Sequence, residues 1–164
     1  MIIKSLFKEY NADYSAFEIA SHIIKWYERR ECGINNLKLN KILYLIQIMY
    51  LEKYNKCAFY EQIEYWRWGY AVRDVYLSFR LFLSDSINPN CKDVIEHYHN
   101  LPIELEKIIN EACEKTKEMK AWDFVPLFQK CPAHEKYYIR GENVSLKEYM
   151  SFDDIKYLSK IFNF

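Results

Sequence analysis

The stretch from Leu39 to Tyr50 constrains this chain more than any other. Leu39, Ile42, Leu43, Leu45, Ile46, Met49 and Tyr50 cover more than one face of any helix drawn through them. A helix that is apolar on several faces needs neighbours on several sides, so it belongs at the centre of a fold. The helix is predicted over Asn36 to Tyr54, with Asn36 as its cap and Asn55-Lys56 as the turn that follows. The other elements must wrap around it. A chain of 164 residues fits one domain of ordinary size, and such a domain buries roughly two thirds of its surface.

The wrapping elements are legible in part. Ser15 and Glu18 form a Ser-x-x-Glu capping box opening a helix over Ser15 to Glu31, with Ala16, Ile19, Ala20, Ile23, Ile24, Trp26 and Tyr27 as its stripe. Gly33 stands where a left-handed stop is expected. Gln62 to Trp68 alternates, with Ile63 and Tyr65 on one side and Glu64 and Trp66 on the other, which predicts a short aromatic strand. Gly69 then marks a turn or a close backbone approach. Helical spacing returns over Val72 to Leu83, and a polar break containing Pro89 covers Ser84 to Asn90.

Further on, Pro102 suits the first turn of a helix striped by Leu105, Ile108, Ile109, Ala112 and Cys113. A short helix is predicted over Trp122 to Gln129 and a second short strand over Tyr137 to Ile139, with Gly141 and Asn143 turning the chain. Ser145 with Glu148, and Ser151 with Asp154, repeat the capping signal before the last apolar turns. The fold class expected is mainly α with a small β element (α+β): a compact helical domain around a central buried helix, carrying a short two- or three-stranded β element. No repeat or linker divides the chain, so one domain is expected over residues 1–164.

Composition narrows the function. Lysine plus arginine equals aspartate plus glutamate at 23 each, which argues against general nucleic-acid binding and favours association with a protein or with another copy. No early segment joins a basic start to an apolar run and a cleavage site, and the run from Ile42 to Leu51 is too short to span a bilayer; a cytoplasmic protein is expected. Cys32, Cys57, Cys91, Cys113 and Cys131 are widely spaced and form no CxxC pair, which fits reduced thiols.

Chemistry is sparse. His97 and His99 lie near Cys91, and Cys131 lies near His134, but the tight ligand pairs of zinc sites are missing. A Cys/His nucleophile pair meets only in space, and no cysteine here carries a nucleophile signature. Phosphate-cradling loops are not expected from three glycines. No enzyme activity, cofactor or metal is expected. The richest cluster is Tyr65, Trp66, Trp68 and Tyr70, bracketed by Arg67, Arg73 and Arg80; on one helix, Arg73 and Arg80 would share a face. Three readings are open: core aromatics with arginines at the rim, a protein-recognition surface rich in Trp, Tyr and Arg, or a nucleic-acid surface.

These residues also resemble a known family. Asn36-Leu37-Lys38-Leu39-Asn40-Lys41-Ile42-Leu43-Tyr44 is similar to the T-x-L-K-L-Q-K-L-L-Y helix of the Panacea domain, the SocA-like antitoxin family. Leu51, Tyr54, Lys56 and Phe59 fall where that family has H-L…Y-G-K-P-L-F. Ile63 to Gly69, followed by Val72 and Val75-Tyr76, resembles I-E-A-W-x-Y-G-P-V-V-P-x-V-Y. The three blocks keep their order and spacing over Ser15 to Phe82. Tyr70 stands for the family's Pro and Asn40 for its Gln. The later T-H-x-x-x-P-W segment is met only by Gln129-Lys130-Cys131-Pro132-Ala133-His134-Glu135, without the Trp. The family core would run over about 15–152, with an N-terminal extension at 1–14 and a C-terminal helix at 153–164.

The resemblance implies an antitoxin that neutralises a cognate protein toxin by direct contact, as members do in bacterial and phage toxin–antitoxin pairs; one subgroup serves as a proteolysis adaptor. Relatives also sit in prophages and mobile elements, so a protein that blocks a host defence component is the alternative. A nucleic-acid-binding regulator is the third. The partner-binding candidates are Trp66, Arg67, Trp68, Tyr70, Arg73, Tyr76 and Arg80, with the last helix as a further contact.

Overall fold

The computed structural model describes residues 12–132, 134, 144–145 and 152–164. The chain is mainly helical, with one small antiparallel sheet. Helix α1 (Ala16–Glu28) opens on the Ser15 capping box, in which the Ser15 hydroxyl accepts from the Glu18 N–H and the Glu18 carboxylate accepts from the Ser15 N–H. Its left-handed residue is Glu31 (φ 55°), not Gly33. Gly33 is needed for another reason: a Cβ there would fall 2.0 Å from Ser86 Oγ, where the polar loop comes back to pair with the segment before the next helix.

Helix α2 (Asn36–Tyr54) is the central helix, and residues 38 to 49 are buried without a break. Its cap is Asn35, whose side chain accepts from the Lys38 N–H; Asn36 is already helical and sends its amide to the Tyr76 carbonyl instead. Asn55 ends the helix in the left-handed conformation (φ 53°). The enclosure explains why α2 carries polar residues inward. Gln47 is fully buried, accepts from Ala58 N–H and donates to the Phe59 carbonyl, so it ties down the loop that follows the helix.

Strands β1 (Ile63–Trp66) and β2 (Gly69–Val72) form a tight hairpin, pairing Ile63 with Val72 and Trp66 with Gly69. β3 (Val144–Ser145) adds to the other edge of β1, giving the order β2-β1-β3. Two expectations change here. Val72 belongs to β2, and the helix after it, α3 (Arg73–Ser78), stops at Phe79 before a 3-10 turn over Arg80–Phe82. Arg73 and Arg80 therefore do not share the face of one helix. Ser145 is a strand residue rather than a helix cap, while the strand expected at Tyr137 to Ile139, the turn at Gly141 and Asn143, and the cap partners Glu148 and Ser151 lie outside the described residues.

Helices α4 (Lys92–His97), α5 (Ile103–Thr116), α6 (Phe124–Gln129) and α7 (Phe152–Phe162) complete the wrapping. The sequence pattern passes over α4, which is short and buries only Val94. Pro102 caps α5 from just outside its first turn, and the predicted stripe Leu105, Ile108, Ile109, Ala112 and Cys113 is its buried face. Ile155, Leu158 and Phe162 of α7 join the same core. Asp154, expected as a cap, is instead fully buried on that face. Among the described residues no helix is long and apolar enough to cross a membrane.

Candidate functional site

The hairpin places the aromatic cluster, and pleating divides it. Tyr65 and Tyr70 pair across the strands and turn inward, at 1% and 0% exposure. Tyr70 stacks on Tyr44 of α2 at 3.6 Å and 12°, so it is a core residue and not a contact residue as expected from sequence. Trp66 is half-buried on the shoulder of the hairpin. Its indole N–H donates to Glu64 at 2.7 Å, its ring edge meets Tyr76 of α3 at 4.8 Å, and Arg73 donates to the other Glu64 oxygen at 3.0 Å. Trp66, Arg73 and Tyr76 are thus tied to one another around one carboxylate.

The hairpin tip is freer. Arg67 and Trp68 form the two-residue turn between the strands. Trp68 is 40% exposed, and the Arg67 guanidinium lies 4.5 Å over its ring. Edge-on to Trp68 at 5.5 Å stands Trp122, which is 60% exposed and comes from the 3-10 turn before α6. The sequence pattern places Trp122 only in a short helix, because its partner Trp68 is distant along the chain. Arg80 stands apart on the 3-10 turn after α3, exposed.

What distinguishes the hairpin is how its backbone is held. The carbonyls of Trp66, Arg67 and Tyr70 accept from His134, Gln129 and Lys41, the Val72 N–H donates to Asn40, and just past the hairpin the Tyr76 carbonyl of α3 accepts from Asn36. Three of those side chains come from α2, where Asn40 also reaches back to Asn36. Gly69 (φ 106°) allows the close approach, because a Cβ there would lie 3.2 Å from Phe128 Cβ and 3.3 Å from Lys41 Nζ. The aromatic tip therefore sits on a fixed base.

Beneath the hairpin lies a buried polar core. The hydroxyls of Tyr44 and Tyr70 both donate to Asp154 Oδ2, at 2.8 and 2.6 Å. Burial, and then the Asp154 charge, push both phenols well above their ordinary range, so they remain donors. Burial also pulls the Lys41 ammonium down to about 7. Cys131, His134 and Asp154 are all buried here, so they line no solvent-open cleft. Among the described residues no group of three or more His, Cys, Asp or Glu is placed to hold a metal ion.

Next to the shoulder, a cleft of about 260 Å³ is lined by Glu61, Gln62, Glu64, Val72, Arg73 and Asp74. Glu61 accepts the Ala16 N–H at the start of α1 with both oxygens, and its carboxyl is raised by burial. The surface thus offers two indoles and a guanidinium at the tip, and an acidic hollow beside the shoulder. No protein-family model, curated protein or solved structure matches this chain.

Proposed function

We propose that this chain is an antitoxin-like protein that binds a cognate protein toxin and masks its active surface, with Trp68, Trp122 and Arg67 as the anchors. One observation carries the reading: an exposed indole and a guanidinium ride on a hairpin whose backbone is fixed from below by side chains of the central helix, and a second exposed indole, Trp122 from the turn before α6, stands edge-on against the first. Trp and Arg dominate binding hot spots, and an anchor already held in place loses little freedom on docking. The resemblance to the Panacea domain supplies the partner class. The shoulder residues Trp66, Arg73 and Tyr76 contribute as a rim, since Trp66 and Arg73 already donate to Glu64 and Tyr76 packs on the Trp66 ring. Binding without catalysis is part of the proposal.

Co-purification from the native host with mass spectrometry names the partner, and a defence protein in place of a toxin selects the mobile-element alternative. With the partner in hand, calorimetry should show Trp68→Ala and Trp122→Ala each weakening binding by about 2 kcal/mol or more, roughly thirtyfold. Unchanged affinity in both removes the site. Retardation of nucleic acid at low salt that fades as salt rises would instead favour a nucleic-acid regulator.

A further inference from the structure

We infer that the turn after α3 is a self-association surface, through which two copies of this chain pair about a two-fold axis. The turn runs from Phe82 to Asp85 and is closed by Asp85 N–H to the Phe82 carbonyl at 2.9 Å. Leu83 takes its second position with φ 55° and ψ −124°. Those angles are the mirror-image turn geometry in which glycine is normal and a branched, bulky side chain is an outlier. The turn delivers Ser86 and Ile87 to their backbone pairing with Asn35 and Ile34, but the side chain it strains stands in water: Leu83 is 78% exposed and Leu81, two residues before it, is 86% exposed. Leu77 on α3 adds a third exposed leucine. A strained backbone that displays a large apolar side chain to water is explained once a surface covers it.

The charges beside the leucines point to a second copy as the cover. Arg80 and Asp85 flank the pair, both are exposed, and neither makes an ion pair among the described residues. In an isologous interface residue i meets residue j and j meets i, so a two-fold axis near Leu81 and Leu83 sets each Arg80 against the other copy's Asp85. Zero formal net charge leaves no long-range repulsion against this approach. Three leucines fall short of the ~800 Å² per partner that a standard interface buries, so the pairing is reversible.

This surface is separate from the hairpin tip, and it is tested on the full chain alone. Sedimentation velocity from about 5 to about 300 μM should show a monomer–dimer equilibrium, with Leu81→Asp and Leu83→Gly each weakening it about tenfold or more. Leu83→Gly relieves the turn and should keep or raise the melting temperature, which separates lost pairing from lost folding. Arg80→Asp and Asp85→Arg should each weaken the dimer, and the double swap should restore it. Trp68→Ala should leave sedimentation unchanged, so a failed hairpin reading and a failed dimer reading stay distinct. A monomer throughout the range overturns the inference and leaves the leucines to a foreign protein. A dimer indifferent to both leucine changes, or a charge swap that restores nothing, overturns it equally.

Discussion

Replacing Lys41 by methionine should make the fold more stable at neutral pH and remove most of its gain in stability toward alkaline pH. Lys41 is 1% exposed, and its ammonium has one hydrogen-bond acceptor among the described residues, the Tyr70 carbonyl at 2.8 Å. Burial lowers its pKa to about 7, against an ordinary lysine value near 10.4. The sign follows from proton counting. Between those two values the unfolded chain holds a proton that the folded chain has lost, so stability rises with pH in that window. Below it both states are protonated, and the whole cost of the buried charge is present.

The magnitude follows from ~1.4 kcal/mol per pH unit. The cost is about 4 kcal/mol near pH 7 and falls by about 1.5–2 kcal/mol by about pH 8.5. Methionine keeps the length and apolar stem but leaves the Tyr70 carbonyl without its donor, a loss of about 1–3 kcal/mol. The variant should therefore gain about 2 kcal/mol near pH 7, with the advantage falling toward zero by about pH 8.5. The assay is urea unfolding of both proteins at half-unit steps over that range. The difference between the two curves isolates Lys41 from other groups. Cys57 and Cys113, which burial pushes up to about 11 and about 12, lower stability only as unfolded thiols begin to ionise at higher pH. Midpoints of wild type and variant that run parallel with pH would refute the reasoning.

Three other outcomes are expected. Leu43→Ala, at the fully enclosed centre of α2, should cost about 2–5 kcal/mol in denaturant unfolding, and a change under about 1 kcal/mol would mean that the helix is not enclosed. Gly33→Ala should cost about 1–3 kcal/mol, because its Cβ would overlap Ser86 Oγ at 2.0 Å while Ser86 is held by its bridge to Asn35; Ser86→Gly should restore most of the loss in thermal unfolding. Thiol labelling of the native protein should modify the exposed Cys32 first and spare the buried Cys57 and Cys113, and equal rates at all three would contradict their burial.

The central helix was readable because enclosure leaves a direct trace: apolar residues on several faces leave few other arrangements. The first strand was readable from its period of two, although the alternation runs on through Arg67 and Trp68, which form the turn after the strand ends at Trp66. The second was not, since Gly69-Tyr70-Ala71-Val72 has no polar alternation; all its side chains are buried, and Val72 merges with the helical spacing that follows. Tyr70 was misplaced for the same reason. In a run where every residue is aromatic or apolar, composition does not say which side chains face out. Trp122 and Asp154 were missed because each acts through a partner distant in the chain, Trp68 for one and the two tyrosines for the other.

The buried amine raises a question that packing does not answer, since methionine would fill its place at lower cost. Its position suggests the answer. β2 passes α2 at Gly69 with no room for a side chain, and the Tyr70 carbonyl turned toward the helix needs a donor arriving from that side. Backbone N–H groups inside α2 are engaged in the helix, so the donor must be a side chain long enough to reach across, and lysine is. The same helix sends Asn36 and Asn40 to the neighbouring backbone atoms. Stability is thus given up where it fixes the base of the exposed hairpin. On that argument Lys41→Met separates two properties that most core changes alter together: the fold should become harder to unfold while the tip becomes less firmly held and binds its partner more weakly. A variant that gained stability and kept full affinity would show that the network beneath the hairpin serves the fold alone.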